Sequence, residues 1–441
     1  MGPFTRLAAL PEGRLADVPS RALPIEMESW VESLPEDLLE IVSRVAQAGG
    51  GIWLVGGSVR EGLAGLIPKD YDLATDLEPD NVMEIFPNSI DTGSQYGTVS
   101  VRIEGKMELF EVTTLRCDQE YRDGRRPDSV DFGTSLLVDL ERRDLTINAM
   151  AVDLARGQLY DQFGGFDDLQ KKILRAVGDA SLRLAEDGLR LMRVYRFMDQ
   201  SGAGLWLPDA ELEAALRECQ QMLANVSAER IWQELKRILA GQHAAEVLQK
   251  MSNDGILSLI FSNYVYDLTG QSELNISDSE AIISARLAML FGGESPTQLM
   301  RELKMEKSVM KEVMALRERM NHLPDADDIP QLRLYRAVVD ERLTTQLSCD
   351  IARGSKGAKQ VASALENLAP NIAGNAPLAD GNWIVEQTGL TPGIKLGRLK
   401  SWLHRIQVVN DISSLDELSN ELGQFNWQDS EHNEWPSFCW P

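Results

Sequence analysis

The first 170 residues alternate short apolar runs with stretches of helical periodicity. A helical pattern from Leu38 to Ala48 stops at three glycines, and an apolar run from Ile52 to Val55 follows, which predicts a buried strand. That strand leads through Gly56-Gly57 into a predicted helix from Ser58 to Leu66, and a second strand is expected from Lys69 to Ala74. The pattern indicates a head that mixes strands and helices.

The same alternation continues to about residue 154. Two β-rich runs, Thr98–Ile103 and Lys106–Leu115, flank Glu104-Gly105, which is a hairpin signal. A helix is expected from Asp144 to Met150, and a short strand from Ala151 to Leu154. A mixed sheet with helices is therefore expected in the head.

Beyond residue 170, strand signals become rare and helical periodicity dominates, beginning with a helix predicted from Leu182 to Met198. The fold class is therefore expected to be α+β, with an elongated all-α neck, body and tail after the head. We expect five segments: 1–34, an irregular N-terminal arm; 35–170, the head; 171–240, a helical neck; 241–330, a helical body; and 331–441, a helical tail.

Composition narrows the class of protein. The chain has 441 residues, of which 43% are hydrophobic and 25% charged, and this excludes a disordered, fibrous or disulfide-stapled protein. No apolar run is long enough to span a membrane, so a cytoplasmic protein without membrane association is expected. The net charge of −24 argues, taken alone, against a polyanionic partner.

Paired carboxylates carry the strongest candidate chemistry. Asp70 and Asp72, in KDYDLAT, project from one face if they lie in a strand, where their mutual repulsion is relieved by a divalent cation. Oxygen-only ligands favour Mg²⁺. The strand MELFEVTTLR offers a third carboxylate; Glu108 and Glu111 lie on opposite faces, and we favour Glu111. An isolated Asp-x-Asp is common in solvated loops, so the neighbouring sequence must show whether this pair binds a metal.

The context is a glycine turn before a helix. The turn leaves backbone N–H groups at Gly57 free for phosphate, and Arg60 on the first helical turn adds a charged donor. A strand, a glycine pair, a helix and an Asp-x-Asp strand in this order predict a nucleoside triphosphate held beside metal ions.

Five ordered motifs over residues 50–240 resemble one known family. The family comprises the class II tRNA nucleotidyltransferases and bacterial poly(A) polymerases, which belong to the polymerase β-like nucleotidyltransferases. The motifs are LVGGSVREGLAG with KDYDLAT, RRDLTINAMA, DQFGGFDDLQKKILRAVGD, EDGLRLMRVYRF and VSAERIWQELKRIL. The resemblance implies a polymerase β-like head and Mg²⁺-dependent catalysis at Asp70, Asp72 and Glu111, with the metal held by Asp70 and Asp72.

The resemblance also assigns the nucleotide contacts. Arg143 is expected on the triphosphate and Asp144 on a ribose hydroxyl. Asp187 and Arg190, three apart on one face of a predicted helix, are expected to read the amino group and ring atoms of cytosine or adenine, and Arg193 and Arg196 continue that stripe. The implied substrates are CTP and ATP.

A second basic stretch lies near the C-terminus, and the acidic surplus lies almost entirely outside residues 116–196. We expect contact with the tRNA body through few phosphates, and hence a shallow salt dependence. The candidate residues are Lys395, Arg398, Lys400 and Arg405.

The expected function is template-independent addition of C and A to the 3′ end of tRNA, with release of pyrophosphate. The loop from Asp118 to Phe132 favours addition of the terminal A, since relatives that add only the two cytidines tend to lack it. Three alternatives stay open: an A-only enzyme of a split pair, a poly(A) polymerase, and a non-catalytic RNA-binding protein. The absence of a Gly-Arg-Arg-Phe-Arg stretch disfavours the poly(A) polymerase.

Overall fold

The computed structural model describes residues 4–68, 70–117, 132–262, 264–293 and 295–441. The predicted loop from Asp118 to Phe132 therefore lies outside the described residues, apart from its last residue. The chain divides into two compact units. The first comprises Met1–His243 with Lys250–Leu259, and the second comprises Ala244–Gln249 with Ile260–Pro441.

The first unit contains a mixed sheet of eight strands in the described part of the chain, in the order β1-β8-β7-β2-β3-β6-β5-β4. Strands β3 and β6 run parallel, with Asp72 opposite Glu111, and β5 and β6 form the antiparallel hairpin that the sequence predicts. The strands are β1 (Ser20–Ala22), β2 (Ile52–Val55), β3 (Asp72–Thr75), β4 (Ile90–Gly93), β5 (Thr98–Val101), β6 (Phe110–Thr114), β7 (Ala151–Asp153) and β8 (Gln158–Tyr160).

The sheet is stable because its central strand is apolar on both faces. All four residues of β2 are buried, as the continuous run IWLV requires. Trp53 and Val55 pack there against Leu136 and Leu140 in one core cluster. This core fixes the ends of β2 and β3, where the candidate carboxylates lie.

Ten helices accompany the sheet in the described part of the first unit as far as residue 240. Several begin at residues that the sequence marks as caps; Ser135 and Asp179, for example, accept hydrogen bonds from the first turns of α5 and α7. The helices are α1 (Glu28–Ser33), α2 (Glu36–Gln47), α3 (Gly57–Leu63), α4 (Pro79–Ile85), α5 (Leu136–Glu141), α6 (Gly165–Lys171), α7 (Ala180–Glu186), α8 (Leu189–Met198), α9 (Ala210–Glu218) and α10 (Ala228–Ala240). Two further short strands, β9 (Ile173–Leu174) and β10 (Leu207–Pro208), pair in parallel.

Three expectations about this unit are wrong. The helix expected from Asp144 to Met150 is only a 3-10 turn, Thr146–Asn148. The segment 1–34 is not irregular throughout, because β1 pairs with β8 and α1 lies within it. The single helix expected from Leu182 to Met198 is broken between α7 and α8, where a Cβ on Gly188 would overlap the carbonyl oxygen of Met222. Only glycine permits that close approach.

The described part of the second unit is helical. Its long helix α20 packs against α16, α19 and α21, and Trp402 of α20 stacks on Phe425 with ring centroids 3.8 Å apart. The buried Trp435 meets Phe425 edge-on, so these aromatic residues of the tail serve packing. The helices from residue 244 onward are α11 (Ala244–Asn253), α12 (Ile256–Ile260), α13 (Ser279–Leu290), α14 (Thr297–Glu302), α15 (Lys307–Arg319), α16 (Ile329–Val339), α17 (Leu343–Ala352), α18 (Ala358–Asn367), α19 (Gly381–Thr388), α20 (Ile394–Asn410) and α21 (Leu415–Gln424).

Among the residues with described coordinates, none of these helices is both long and apolar enough to cross a bilayer.

Candidate active site

A cleft of about 1200 Å³ opens in the first unit at the ends of β2 and β3. Its described lining carries nine arginines and no lysine, which suits multivalent phosphate because a guanidinium can make paired hydrogen bonds. The lining arginines are Arg60, Arg116, Arg142, Arg143, Arg190, Arg193, Arg196, Arg230 and Arg237.

The turn between β2 and α3 forms one wall of this cleft. Gly56 has φ +68°, a conformation that favours glycine, and Gly57 begins α3. A Cβ on Gly56 would lie 3.4 Å from Nη1 of Arg143 and 3.6 Å from Oδ2 of Asp72. The missing side chain therefore leaves space between a guanidinium and a carboxylate, which is where a phosphate would be held.

Three carboxylates face the cleft at the β3–β6 pair. Asp72 opens β3 and is in register with Glu111 on β6, whereas Asp70 lies in the segment that precedes the strand. Desolvation in the cleft raises the pKa of Asp72, Arg143 lowers it and Asp70 raises it again. The pKa of Glu111 is raised by desolvation and then by Asp72 and Asp70. The three charges thus interact, although the strand geometry expected for Asp70 is wrong.

This donor set fits a hard divalent cation. All three groups offer oxygen, and the pKa values of Asp72 and Glu111 are raised first by desolvation and further by neighbouring carboxylates, so a bound cation would favour their charged forms. Within the described ranges, however, no three His, Cys, Asp or Glu side chains are grouped closely enough to hold a metal by themselves. Oxygens of a bound triphosphate would complete the coordination, as is usual for Mg²⁺.

Three arginines of the cleft surround the ring of Phe197. The guanidinium carbons of Arg60, Arg193 and Arg196 lie 5.1, 5.4 and 4.3 Å from its centroid, which is cation–π distance. Burial lowers the pKa of Arg60, and it lowers the pKa of Arg196 to about 10. The ring helps to hold like charges together beside the glycine turn, where an anion would stabilise them.

Asp144 lies buried beneath these arginines. Its Oδ2 accepts a hydrogen bond from Nε of Arg193 at 2.6 Å, and its Oδ1 accepts from Nδ2 of Asn148 and from the backbone N–H of Leu145. Burial alone would raise the pKa of Asp144, but Arg193 and these donors hold it well below its usual range. Asp144 is thus an anchor for Arg193, and its expected contact with a ribose hydroxyl remains a prediction.

Asp187 and Arg190 both line the cleft, but not as one face of one helix. Asp187 has extended backbone angles after α7, and its Oδ1 accepts from the N–H of Leu189 at the start of α8. Its Oδ2 accepts from Nη2 of Arg230, on α10, at 2.7 Å. The expected placement within one helix is wrong because the backbone of Asp187 is extended between α7 and α8, whereas Gly188 keeps right-handed helical angles.

Arg190 is held by main-chain oxygens on both sides. Its Nη1 donates to the carbonyl of Arg183 at 2.8 Å and to the carboxylate of Glu186, and its Nη2 donates to the carbonyl of Arg142 at 2.8 Å. The guanidinium therefore has a fixed orientation, which reading the edge of a base requires.

Several residues of the site were not predicted from the sequence. Arg142, Arg116 and Arg230 line the cleft, and the buried Asp139 holds Arg142 and Arg143 from behind the lining. The spacing of Asp139 to Arg142 and Arg143, three and four residues along the chain, is a signal that could have identified it.

The basic stretch of α20 belongs to the second unit. Nζ of Lys395 donates to the carbonyl of Gln428, and Nη1 of Arg405 donates to the carbonyl of Ser437. Both therefore also bind the C-terminal segment. Arg398 is exposed and Lys400 is partly exposed.

A mixed sheet with three acidic side chains at one end, beside a glycine turn and an arginine-lined cleft, defines a nucleotidyltransferase. Comparison with known proteins supports this assignment to the nucleotidyltransferases. Residues 52–175 match the family model of the poly A polymerase head domain, and residues 208–267 match the model described as the probable RNA and SrmB-binding site of polymerase A.

Two relatives and one solved structure narrow the class from nucleotidyltransferases to CCA-adding enzymes. The CCA-adding enzyme of Leuconostoc mesenteroides is 33% identical over 395 residues, covering 87% of this chain and 95% of the relative, and that of Streptococcus sanguinis is 32% identical over 396 residues, covering 85% and 94%. The crystal structure of the Bacillus stearothermophilus CCA-adding enzyme in complex with CTP superposes with a TM-score of 0.69 at 27% identity, covering 88% of this chain and 96% of that one. The chain belongs to the CCA-adding enzyme family.

Proposed function

We propose that this protein adds C and A nucleotides to the 3′ end of tRNA from CTP and ATP, without a template and with release of pyrophosphate. The observation that carries the proposal is the placement of the Asp72–Glu111 pair in the same cleft as Asp187 and Arg190. A group suited to phosphoryl transfer and a group suited to reading a base therefore share one cavity.

Asp70 and Asp72 are the proposed Mg²⁺ ligands, with Glu111 as the third acidic group. The ions supply charge neutralisation of the triphosphate and a lowered pKa of the tRNA 3′ hydroxyl when bound. The chain itself contributes orientation: Gly57, Arg60 and Arg143 hold phosphate oxygens beside the acidic groups.

Asp187 and Arg190 are the proposed base-selecting residues, supported by Arg193 and Arg196. Arg230 keeps the carboxylate of Asp187 paired with a cation, so Asp187 acts as an acceptor. An acceptor selects the exocyclic amino group that cytosine and adenine share, and it rejects uracil, which presents a carbonyl there. Asp144 is the proposed contact to the ribose.

The division into arm, head, neck, body and tail is also a proposal, at residues 34, 170, 240 and 330. The head and neck would carry the chemistry. Contact with the tRNA body is assigned to the tail, where the exposed Arg398 and the partly exposed Lys400 are better placed than Lys395 and Arg405, which also bind the C-terminal segment. The proposed compartment is the cytoplasm.

The test uses three tRNA transcripts that end at the discriminator base, after C and after CC. Each is incubated with CTP, ATP and Mg²⁺, and the products are sequenced, with the Asp70→Ala variant as the inactive control. Completion of all three to CCA supports the proposal. Extension of only the CC-ended transcript by one A would identify an A-only enzyme, and long A tails would identify a poly(A) polymerase. No incorporation on any transcript would indicate a non-catalytic RNA-binding protein.

A further inference from the structure

Asp139, on α5, is a buried carboxylate that holds two consecutive arginines of the cleft. Its side chain is 3% exposed. Oδ1 accepts from Nε of Arg142 at 3.0 Å and from its Nη2 at 2.5 Å, and Oδ2 accepts from Nε and Nη2 of Arg143 at 3.3 and 3.0 Å. Each oxygen therefore fixes a different guanidinium through two donors.

Burying the ionised carboxylate of Asp139 costs free energy unless both arginines remain paired with it. Burial disfavours the charged carboxyl, yet Arg143 and Arg142 together lower the pKa of Asp139 to about 2. The carboxylate consequently stays ionised throughout the pH range in which enzymes of this kind are assayed.

The two arginines contact different parts of the cleft, which have different proposed roles. Nη1 of Arg143 faces the space left by Gly56, beside Asp72. The carbonyl oxygen of Arg142 accepts the Nη2 hydrogen bond of Arg190. One buried carboxylate is therefore linked to the phosphate side and to the base side of the site.

The chain contains a matched arrangement away from the cleft. Asp153, on β7, accepts from Nη1 of Arg156 at 2.8 Å and from its backbone N–H, again with a spacing of three residues. The Asp153 side chain is 5% exposed, but neither it nor Arg156 lines the cleft. Asp153 thus offers a comparable buried Asp–Arg pair outside the cleft, with one arginine in place of two.

We propose that Asp139 is a positioning residue that sets the triphosphate-facing guanidinium of Arg143 and, through the main chain of Arg142, the base-facing guanidinium of Arg190. The inference rests on the proposed function, because it needs Arg143 to contact phosphate and Arg190 to contact the base. Asp139 itself touches neither substrate.

The experiment compares full-length Asp139→Asn with Asp153→Asn. Two quantities are measured: the dissociation constant of inorganic tripolyphosphate in the presence of Mg²⁺, and the ratio of kcat/KM for CTP over UTP on a tRNA transcript. The amide in Asp139→Asn would retain the shape of the side chain while placing an N–H₂ group against one guanidinium. We expect tripolyphosphate affinity to fall roughly tenfold, the magnitude of a lost charge-assisted hydrogen bond, and the CTP/UTP ratio to fall severalfold.

The control Asp153→Asn should lower the melting temperature while leaving both quantities at the wild-type value. If Asp139→Asn also leaves both unchanged, the positioning role is wrong. If the amide variant does not fold, Asp139→Glu decides: it retains the charge but displaces both guanidinium groups, so wild-type values there overturn the inference. A wild-type protein that neither binds tripolyphosphate nor incorporates nucleotides contradicts the proposed function instead.

Discussion

The ion pair between Asp144 and Arg193 ties the residues after α5 to helix α8, and its removal gives a prediction about stability. The Asp144 side chain is 7% exposed and that of Arg193 is 33% exposed. Asp144→Ala would leave Arg193, Asn148 and the N–H of Leu145 without their acceptor. Breaking a fully buried pair costs about 3–5 kcal/mol, and the partial exposure of Arg193 reduces this to about 2–3 kcal/mol.

The assay is a double-mutant cycle by urea denaturation with Asp144→Ala, Arg193→Ala and the double variant. Because the pair is in direct contact, we expect a coupling free energy of about 1–2 kcal/mol. Glu40→Gln, which removes the exposed i,i+4 pair with Arg44, is the control and should cost less than about 0.5 kcal/mol. Purely additive single variants would refute the reasoning.

Acidity provides an independent check on the same pair. The pKa of Asp144 is lower in the folded protein than in the unfolded chain. The stabilisation is therefore present above the unfolded pKa, near 3.9, and is lost as the pH falls toward the folded pKa. The difference in unfolding free energy between wild type and Asp144→Ala should narrow below about pH 4. A difference that stays constant on acidification would show that the charge of Asp144 contributes nothing.

Further variants test other parts of the site. Asp70→Ala should abolish nucleotide incorporation while tRNA binding, measured by gel shift, is unchanged; measurable turnover would refute the metal assignment. Arg190→Ala should lower the CTP/UTP ratio of kcat/KM by about tenfold or more, since a charged donor to the base is worth about 1.5–3 kcal/mol; an unchanged ratio would contradict base selection by Arg190. Gly56→Ala should weaken ATP binding in titration calorimetry, because its Cβ would enter the space between Arg143 and Asp72. Gly49→Ala is its control, since Gly49 also has positive φ but has no neighbouring atom within 4 Å, and equal affinities for both variants would refute this role.

Local patterns predicted the sheet well, for physical reasons. The run Ile52–Val55 is apolar at every position and bounded by glycines, which is typical of a central strand buried on both faces, and β2 has those limits. The turn Glu104-Gly105 separates two β-rich runs, and β5 pairs with β6 as expected. Such strands can be predicted because the pattern of apolar residues and turn residues extends over several consecutive positions.

Contacts between distant segments were not predictable in the same way. Gly188, beside the break before α8, lies against the carbonyl of Met222, which is 34 residues farther along the sequence. The orientation of Asp187 likewise depends on Arg230, from another helix. Helical periodicity continues through Gly188, so the pattern favoured one helix where packing imposes two.

The net charge of the chain, taken alone, argued against a polyanionic partner. That argument fails once the positions of the individual charges are considered. Each long-range Coulomb term is screened within about 8–10 Å at physiological ionic strength, so the total of −24 says little about one cavity. The described lining of the cleft has nine arginines against seven acidic residues, and is thus cationic within an acidic protein. Several of those acids pair with arginines and fix their directions, as Asp144 and Asp187 do. Acidic side chains in the cleft orient the arginines that a triphosphate needs, and the net charge of the whole chain does not argue against a polyanion bound at a local group of basic residues.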